Sequence, residues 1–338
     1  MEAAKKRVAW VDLIKGYAML LVFMVHVDFV PREYMRIINP VFLSAFFFAS
    51  GYTFSVKRKF GEFFINKVRT ILVPFLFFGV INILATQVIT LSEQEPLKEQ
   101  LVNFFLQIRG KGDELWFLAC IFVVFIVFYP IVKYIHNVYV FIILITIMSL
   151  TDVIYTVNGG GPLPWHLQLI GVSCFFMGLG NLYKRYWEEK MEHFMGNGVF
   201  AIISVIVYAL FIILNYYVFD DADICFNSYG KNIPFYYIFS FIALVMAVSL
   251  AKNSGEYKFI KFVGANTMVY FALHGKIERL LMTVLFKFVD AKNLSHATEM
   301  IITYLGSIVI VLLTALILIP VIIFINRYCY FILGKSKQ

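Results

Sequence analysis

The stretch WVDLIKGYAMLLVFMVHVDFV, residues 10–30, decides how this chain is read. It is long enough to cross a bilayer, which takes about 20 predominantly apolar residues, yet it holds Asp12, Lys15 and His26. A charged side chain at mid-bilayer costs roughly 2.5–3.5 kcal/mol on insertion scales. Lys15 and His26 are separated by three helical turns plus roughly 20°, and so lie on one face. Asp12, one turn before Lys15, shares that stripe. The helix thus presents a carboxylate, an ammonium and, about 16 Å further along its axis, an imidazole. Such a stripe faces protein or water, not lipid.

The rest of the chain agrees with a membrane setting. Of 338 residues, 61% are hydrophobic and only 15% charged, and the mean hydropathy is +0.81. These values lie outside the range of soluble domains. The net charge of +8 does not point to nucleic acid, because the basic residues sit in short gaps between apolar runs, where orientation explains them. Cys120, Cys174, Cys225 and Cys329 lack metal-ligand spacing and are expected as ordinary core residues. The basic start and apolar run resemble the beginning of a signal peptide, but Lys15 interrupts the run and no small-residue cleavage site follows, so a retained first span is expected.

Ten spans are expected, at 10–30, 38–56, 70–91, 115–135, 138–156, 163–183, 198–219, 232–251, 265–289 and 299–326. Lys and Arg are concentrated in the N-terminal segment, in every second gap and in the C-terminal tail, which predicts cytoplasmic termini. The expectation is an all-α polytopic bundle forming a single domain over 1–338. A short amphipathic helix is predicted from Leu97 to Ile108, where apolar residues recur at helical spacing.

Four polar features compete for a chemical role. In the first helix, Asp12 and Lys15 fit either a structural pair or a site, whereas His26 has the titration range that general-base work requires. The ninth span groups His274, Lys276, Glu278 and Arg279; His274 and Glu278 share a face. This is compatible with an ion-pair network between helices or with a functional wall. The basic gap holds Lys57, Arg58, Lys59, Lys67 and Arg69 ahead of Pro74. Positive-inside bias explains it, and so would a phosphate-binding patch. Trp116 is read as an aromatic-belt anchor. His136, His193 and His296 fall in solvated gaps, and His166 is expected at an interface. Gly159–Gly161 read as a turn, and no motif points to a metal.

These residues resemble, nearly end to end, the acyltransferase family 3 integral membrane acyltransferases. RVAWVDLIKGYAMLLVFMVH is similar to that family's N-terminal signature, in which a basic residue, here Lys15, precedes the catalytic His, here His26, with ten residues between. NPVFLSAFFFASGYTFS resembles its second span, NKVRTILVPF its basic lead into the third, LWFLACIF the start of the fourth, FFMGLG the sixth and NTMVYFALH the late Tyr-to-His motif. One departure stands out. The family often carries an Arg-x-x-Arg pair in the basic loop, and here Asn66 precedes Arg69.

The resemblance implies transfer of an acyl group, usually acetyl, from cytosolic acyl-CoA to a hydroxyl of a cell-surface polysaccharide or lipid-linked glycan. CoA serves as co-substrate, with no permanently bound cofactor and no metal. The implied roles are His26 as base or acyl carrier, supported by Asp12 and Lys15. Lys15, Arg58, Lys67 and Arg69 serve the donor. Trp116, His274, Glu278 and Arg279 serve the acceptor side or structural support. The expected place is the inner (plasma) membrane, with membrane lipids, acyl-CoA and glycan as partners. The competing class is an exporter of polysaccharide or lipid-linked sugar, because polar helices also line substrate pathways; no repeat between halves or matching pair of broken helices supports it.

Overall fold

Hydrocarbon offers the backbone no hydrogen-bond partners, so an apolar chain crossing it must satisfy each N–H and C=O internally, which helices do. A computed structural model describes residues 7–89, 96–111, 114–218, 222–226, 228–288 and 300–335. These residues form an all-helical fold in which the only β-pairing is an isolated bridge between Asp223 and Ser228. The principal helices are α1 (Ala9–Val25), α2 (Arg32–Ile38), α3 (Phe42–Thr53), α4 (Phe60–Lys67), α5 (Val73–Ile89), α6 (Leu97–Leu106), α7 (Trp116–Tyr134), α8 (Val138–Val157), α9 (Ile170–Leu182), α10 (Glu188–Met195), α11 (Gly198–Tyr217), α12 (Ile233–Asn253), α13 (Lys258–Ala265), α14 (Thr267–Phe288) and α15 (Ser307–Tyr328).

Among the described residues, six helical segments are long and apolar enough to cross a membrane: Phe60–Thr86, Trp116–Tyr134, Val138–Val157, Gly198–Tyr217, Ile233–Asn253 and Ile302–Tyr328. The other four expected spans are short helices (α1, α3 and α9) or, in α14, a helix with Lys276, Glu278 and Arg279 in its middle. The amphipathic helix foreseen over 97–108 forms as α6, with Phe104 as its buried anchor.

The basic gap is helical only in part: Lys57, Arg58 and Lys59 lie in an irregular stretch ahead of α4, and Lys67 and Arg69 in the helix that follows. α4 continues through a π-helical turn, Val68–Leu72, into α5. The wide turn closes where Val73 N–H donates to Val68 O, immediately before Pro74, which has no N–H to offer.

The chain divides into two compact units. The first comprises Met1–Thr53, Leu179–Ile224 and Ser228–Ile317, and the second Phe54–Gly178, Cys225–Asn227 and Leu318–Gln338. In the first unit α13 crosses the start of α1 at backbone contact. A methyl group added at Gly264 would overlap the Asp12 carbonyl, and one at Gly16 would overlap that of Ile260. Two facing glycines therefore permit a crossing that larger residues would hold apart, as small residues do between membrane helices. Gly180 does the same against the Phe48 carbonyl of α3. In the second unit, Gly79 faces the Phe104 ring, seating α6 on α5.

Candidate active site

α1 stops at Val25, so His26 is not embedded in the span as the continuous apolar run implied; it is the C-cap residue, with φ −102° and ψ 0°, and it is exposed. The chain turns here because His26 satisfies the last carbonyls itself. Its N–H donates to Phe23 O (3.0 Å) and its Nδ1 donates to Val22 O (2.7 Å). With the proton held on Nδ1, the lone pair is on Nε2.

α14 runs alongside α1 in the same direction: Tyr270 lies by Phe23, His274 by His26 and Met282 by Asp28. The His274 ring stacks on Phe23 (5.2 Å between centroids, 24° between planes) and stands edge-on to His26 (4.7 Å, 86°). Like His26 it turns Nδ1 to the backbone, donating to Phe271 O at 2.8 Å. Its Nε2 is buried without a hydrogen-bond partner among the described residues. One turn further, Glu278 is 0% exposed, and neither carboxylate oxygen has a hydrogen-bond partner among them. Asp28 is its charged neighbour. Tyr270 fixes this part of α14 by donating to Ala315 O (3.0 Å).

The structure thus joins two features the sequence held 248 residues apart, His26 and His274, and adds Phe23 and Asp28, which sequence reasoning passed over. The available signal was HVD: Asp28 stands two residues after His26. Lys276 is half-buried and Arg279 exposed.

At the other end of α1, Asp12 pairs with Arg7 (Nε to Oδ2, 3.1 Å). Lys15 makes no ion pair with Asp12, so of the two alternatives weighed for these residues a structural pair within the helix gives way to one across its entry. A further cluster unforeseen from sequence lies in the same unit. Lys252, with 6% of its side chain exposed, pairs with Glu188 (3.4 Å) and Glu192. It also sits over the Trp10 ring (5.2 Å), while Tyr52 donates to Glu188 (2.7 Å). Every charge there is answered, as a structural network requires.

In the second unit the basic residues separate by environment. Lys67 Nζ lies 3.4 Å from the centre of the Phe125 ring and 5.4 Å from that of Phe63, a cation–π seat. Arg58 and Arg69 are exposed. Two expectations change here. Trp116 is not a lipid-facing anchor but is 6% exposed, and His166 is not interfacial but fully buried, its ring 4.7 Å from that of Trp116. The local backbone explains both. Trp165 and His166 adopt left-handed conformations (φ 54° and 53°), which fold the imidazole inward while Trp165 Nε1 donates to Phe105 O (2.7 Å). Gln107 is the other non-glycine residue with positive φ among those described. His136 and His193 are exposed, and His296 lies outside the described residues.

The apolar helices make this a multi-pass helical membrane protein, in which α1 and α14 bring together two histidines and a buried carboxyl. More particularly, the chain belongs to acyltransferase family 3: the profile described as an acyltransferase domain matches residues 8–326. It is therefore a membrane acyltransferase. No curated protein and no solved structure matches the chain.

Proposed function

We propose that this acyltransferase is an O-acetyltransferase of the inner (plasma) membrane, with both termini cytoplasmic, that moves acetyl from acetyl-CoA to a hydroxyl of a cell-surface polysaccharide or lipid-linked glycan. The observation that supports this reading is the His26–His274 pair, with His26 Nδ1 committed to Val22 O and the Glu278 carboxyl, one turn beyond His274, without a hydrogen-bond partner among the described residues.

In the direct route, the acceptor oxygen attacks the thioester carbonyl as His26 Nε2 removes its proton. The C–O bond forms, the C–S bond breaks, and the proton passes from the imidazolium to the departing thiolate to give CoA-SH. In the stepwise route, Nε2 itself attacks the thioester carbonyl, the C–S bond breaks and CoA leaves as the thiolate. The acceptor hydroxyl then attacks the acetyl carbonyl on Nε2, the N–C bond breaks, and the hydroxyl proton ends on the thiolate as CoA-SH. Both routes use one atom and balance without a metal or redox partner. His274 and Glu278 support the charge that appears on the imidazole. Lys15, Arg58, Lys67 and Arg69 take the anionic groups of CoA, for which Arg69 offers an exposed guanidinium.

Purified protein given acetyl-CoA labelled in the acetyl group, with and without envelope glycans, tests the proposal. Labelled glycan ester is the expected product. Transport of unmodified glycan with no ester would replace this reading with an exporter. Rapid quenching followed by peptide mass spectrometry separates the two routes, since only the stepwise one places acetyl on the His26 peptide.

A further inference from the structure

Pro74 takes one carbonyl of the turn before it out of the helical ladder. In an α-helix the Arg69 carbonyl would accept from Val73 N–H, and in a π-helix from the N–H of residue 74. Val73 N–H donates to Val68 O instead, and Pro74 has no N–H. The carbonyl so released belongs to the residue whose guanidinium is exposed.

What lies against that carbonyl comes from the far end of the chain, within the same unit. After α15 a short 3₁₀ turn, Tyr330–Leu333, packs on the π-helical turn and on α5. Gly334 closes it in the left-handed conformation, with φ 64° and ψ 18°. Gly334 N–H donates to Phe331 O (2.9 Å) and Lys335 N–H to Tyr330 O (3.2 Å), the two bonds of a Schellman ending. Ile332, Leu333 and Gly334 are buried. Lys335 Nζ donates to Asn326 Oδ1 (2.7 Å), which ties the turn back to α15.

The approach is too close for any other residue. A methyl group added at Gly334 would overlap the Arg69 carbonyl and press on Thr70 Cα. These are backbone atoms, which no side-chain rotation can clear. Gly334 thus meets two requirements at once, a left-handed conformation and a bare Cα. Gly159 meets only the first: its φ is 81°, yet an added methyl would touch nothing within 4 Å.

We propose that the C-terminal turn, residues 330–335, is a positioning element of the donor site: Gly334 holds the Arg69 backbone and so sets where the guanidinium meets the anionic groups of acyl-CoA. A carbonyl outside the ladder leaves its peptide free to tilt, and a side chain as long as arginine's carries that tilt to its tip. A rigid turn packed against the peptide removes this freedom, and a guanidinium already in place is not ordered at the expense of binding. The proposal rests on the reading of Arg69 as a donor contact, and Gly334 acts only through it.

The test uses the full chain in lipid nanodiscs. Phenylglyoxal labels guanidinium groups, and mass spectrometry follows the Arg69 peptide with and without CoA, with Arg32, exposed in the first unit, as reference. CoA is expected to protect Arg69 and not Arg32. Gly334→Ala should need about tenfold more CoA for equal protection and raise the KM for acetyl-CoA about tenfold, the scale of one lost charge-assisted hydrogen bond. Its kcat and acceptor KM should be unchanged. Leu333→Ala, which loosens the turn without adding an atom, should give a smaller rise of the same kind, and carries the test if Gly334→Ala does not insert. Gly159→Ala should change neither protection nor KM. In a double-mutant cycle, either turn variant added to Arg69→Gln should raise KM no further, because two changes acting through one group are not additive.

Unchanged CoA protection in both Gly334→Ala and Leu333→Ala overturns the proposal and leaves Arg69 as a donor contact. A fully additive rise in KM also overturns it, by giving the turn a role independent of Arg69. Failure of CoA to protect Arg69 in wild type removes Arg69 from the donor site, and the role of the turn falls with it.

Discussion

The two ends of α1 treat charge in opposite ways. At its start Asp12 is closed off by Arg7, and its backbone is held by the Gly264 crossing. At its finish an exposed imidazole meets a buried one, and the Glu278 carboxyl behind them has no partner among the described residues. A buried ion left unpaired carries a penalty of several kcal/mol, whereas one answered within the fold has its lone pairs occupied. At the first end the Asp12–Arg7 pair leaves the carboxylate answered within the fold. The second leaves His274 Nε2 and the Glu278 carboxyl oxygens without hydrogen-bond partners among the described residues.

The comparison breaks most directly at His26. His26→Ala is expected to lower acyl transfer by at least about 10³-fold, within the range of general-base contributions, while membrane insertion is preserved because a polar group is removed. Near-normal glycan acetylation in a correctly inserted variant would return the second end of α1 to structure.

The second unit offers the next largest effect. Lys67 rests on the Phe125 ring while Arg69 is exposed. If both bind donor phosphates, each lost charge-assisted hydrogen bond is worth roughly 1.5–3 kcal/mol, more than about tenfold. The double change to Gln should then raise the KM for acetyl-CoA by about 10² or more, with the acceptor KM little changed. Arg69→Gln should account for the greater part. Unchanged donor kinetics would assign both residues to orientation alone.

His274→Ala and Glu278→Gln sharpen the comparison further. Each is expected to lower kcat by about tenfold, less than His26→Ala, with both KM values held, because these groups act on the imidazole and not on substrate binding. A loss at His274 as large as at His26 would move the chemistry onto α14.

Asp12→Asn should do least. Arg7 is 62% exposed in its side chain, and such pairs contribute about 0–1 kcal/mol. Activity within about threefold of wild type is expected, and a loss on the scale of His26→Ala would show that the first end of α1 is chemical too.

How much of this was legible beforehand differs from element to element. α6 was visible because a surface helix repeats its apolar residues at its own period, and the reading needs no partner. The extent of α1 was not, because WVDLIKGYAMLLVFMVHVDFV remains apolar past residue 25, while the helix ends where the His26 imidazole bonds the Val22 carbonyl. His166 read as interfacial from its place beside Trp165; only its left-handed backbone turned it inward.

By itself, then, the sequence determined the all-helical membrane class, the family, and the spacing of Lys15 and His26, because hydropathy and helical period are local properties that any stretch of about 20 residues carries. Only the tertiary structure decided that Asp12 answers Arg7, and that His274 stands against His26 with Glu278 behind it. Those are contacts between segments far apart in the chain, set by where glycines such as Gly16 and Gly264 let helices approach, and no local period records which helix becomes the neighbour of which.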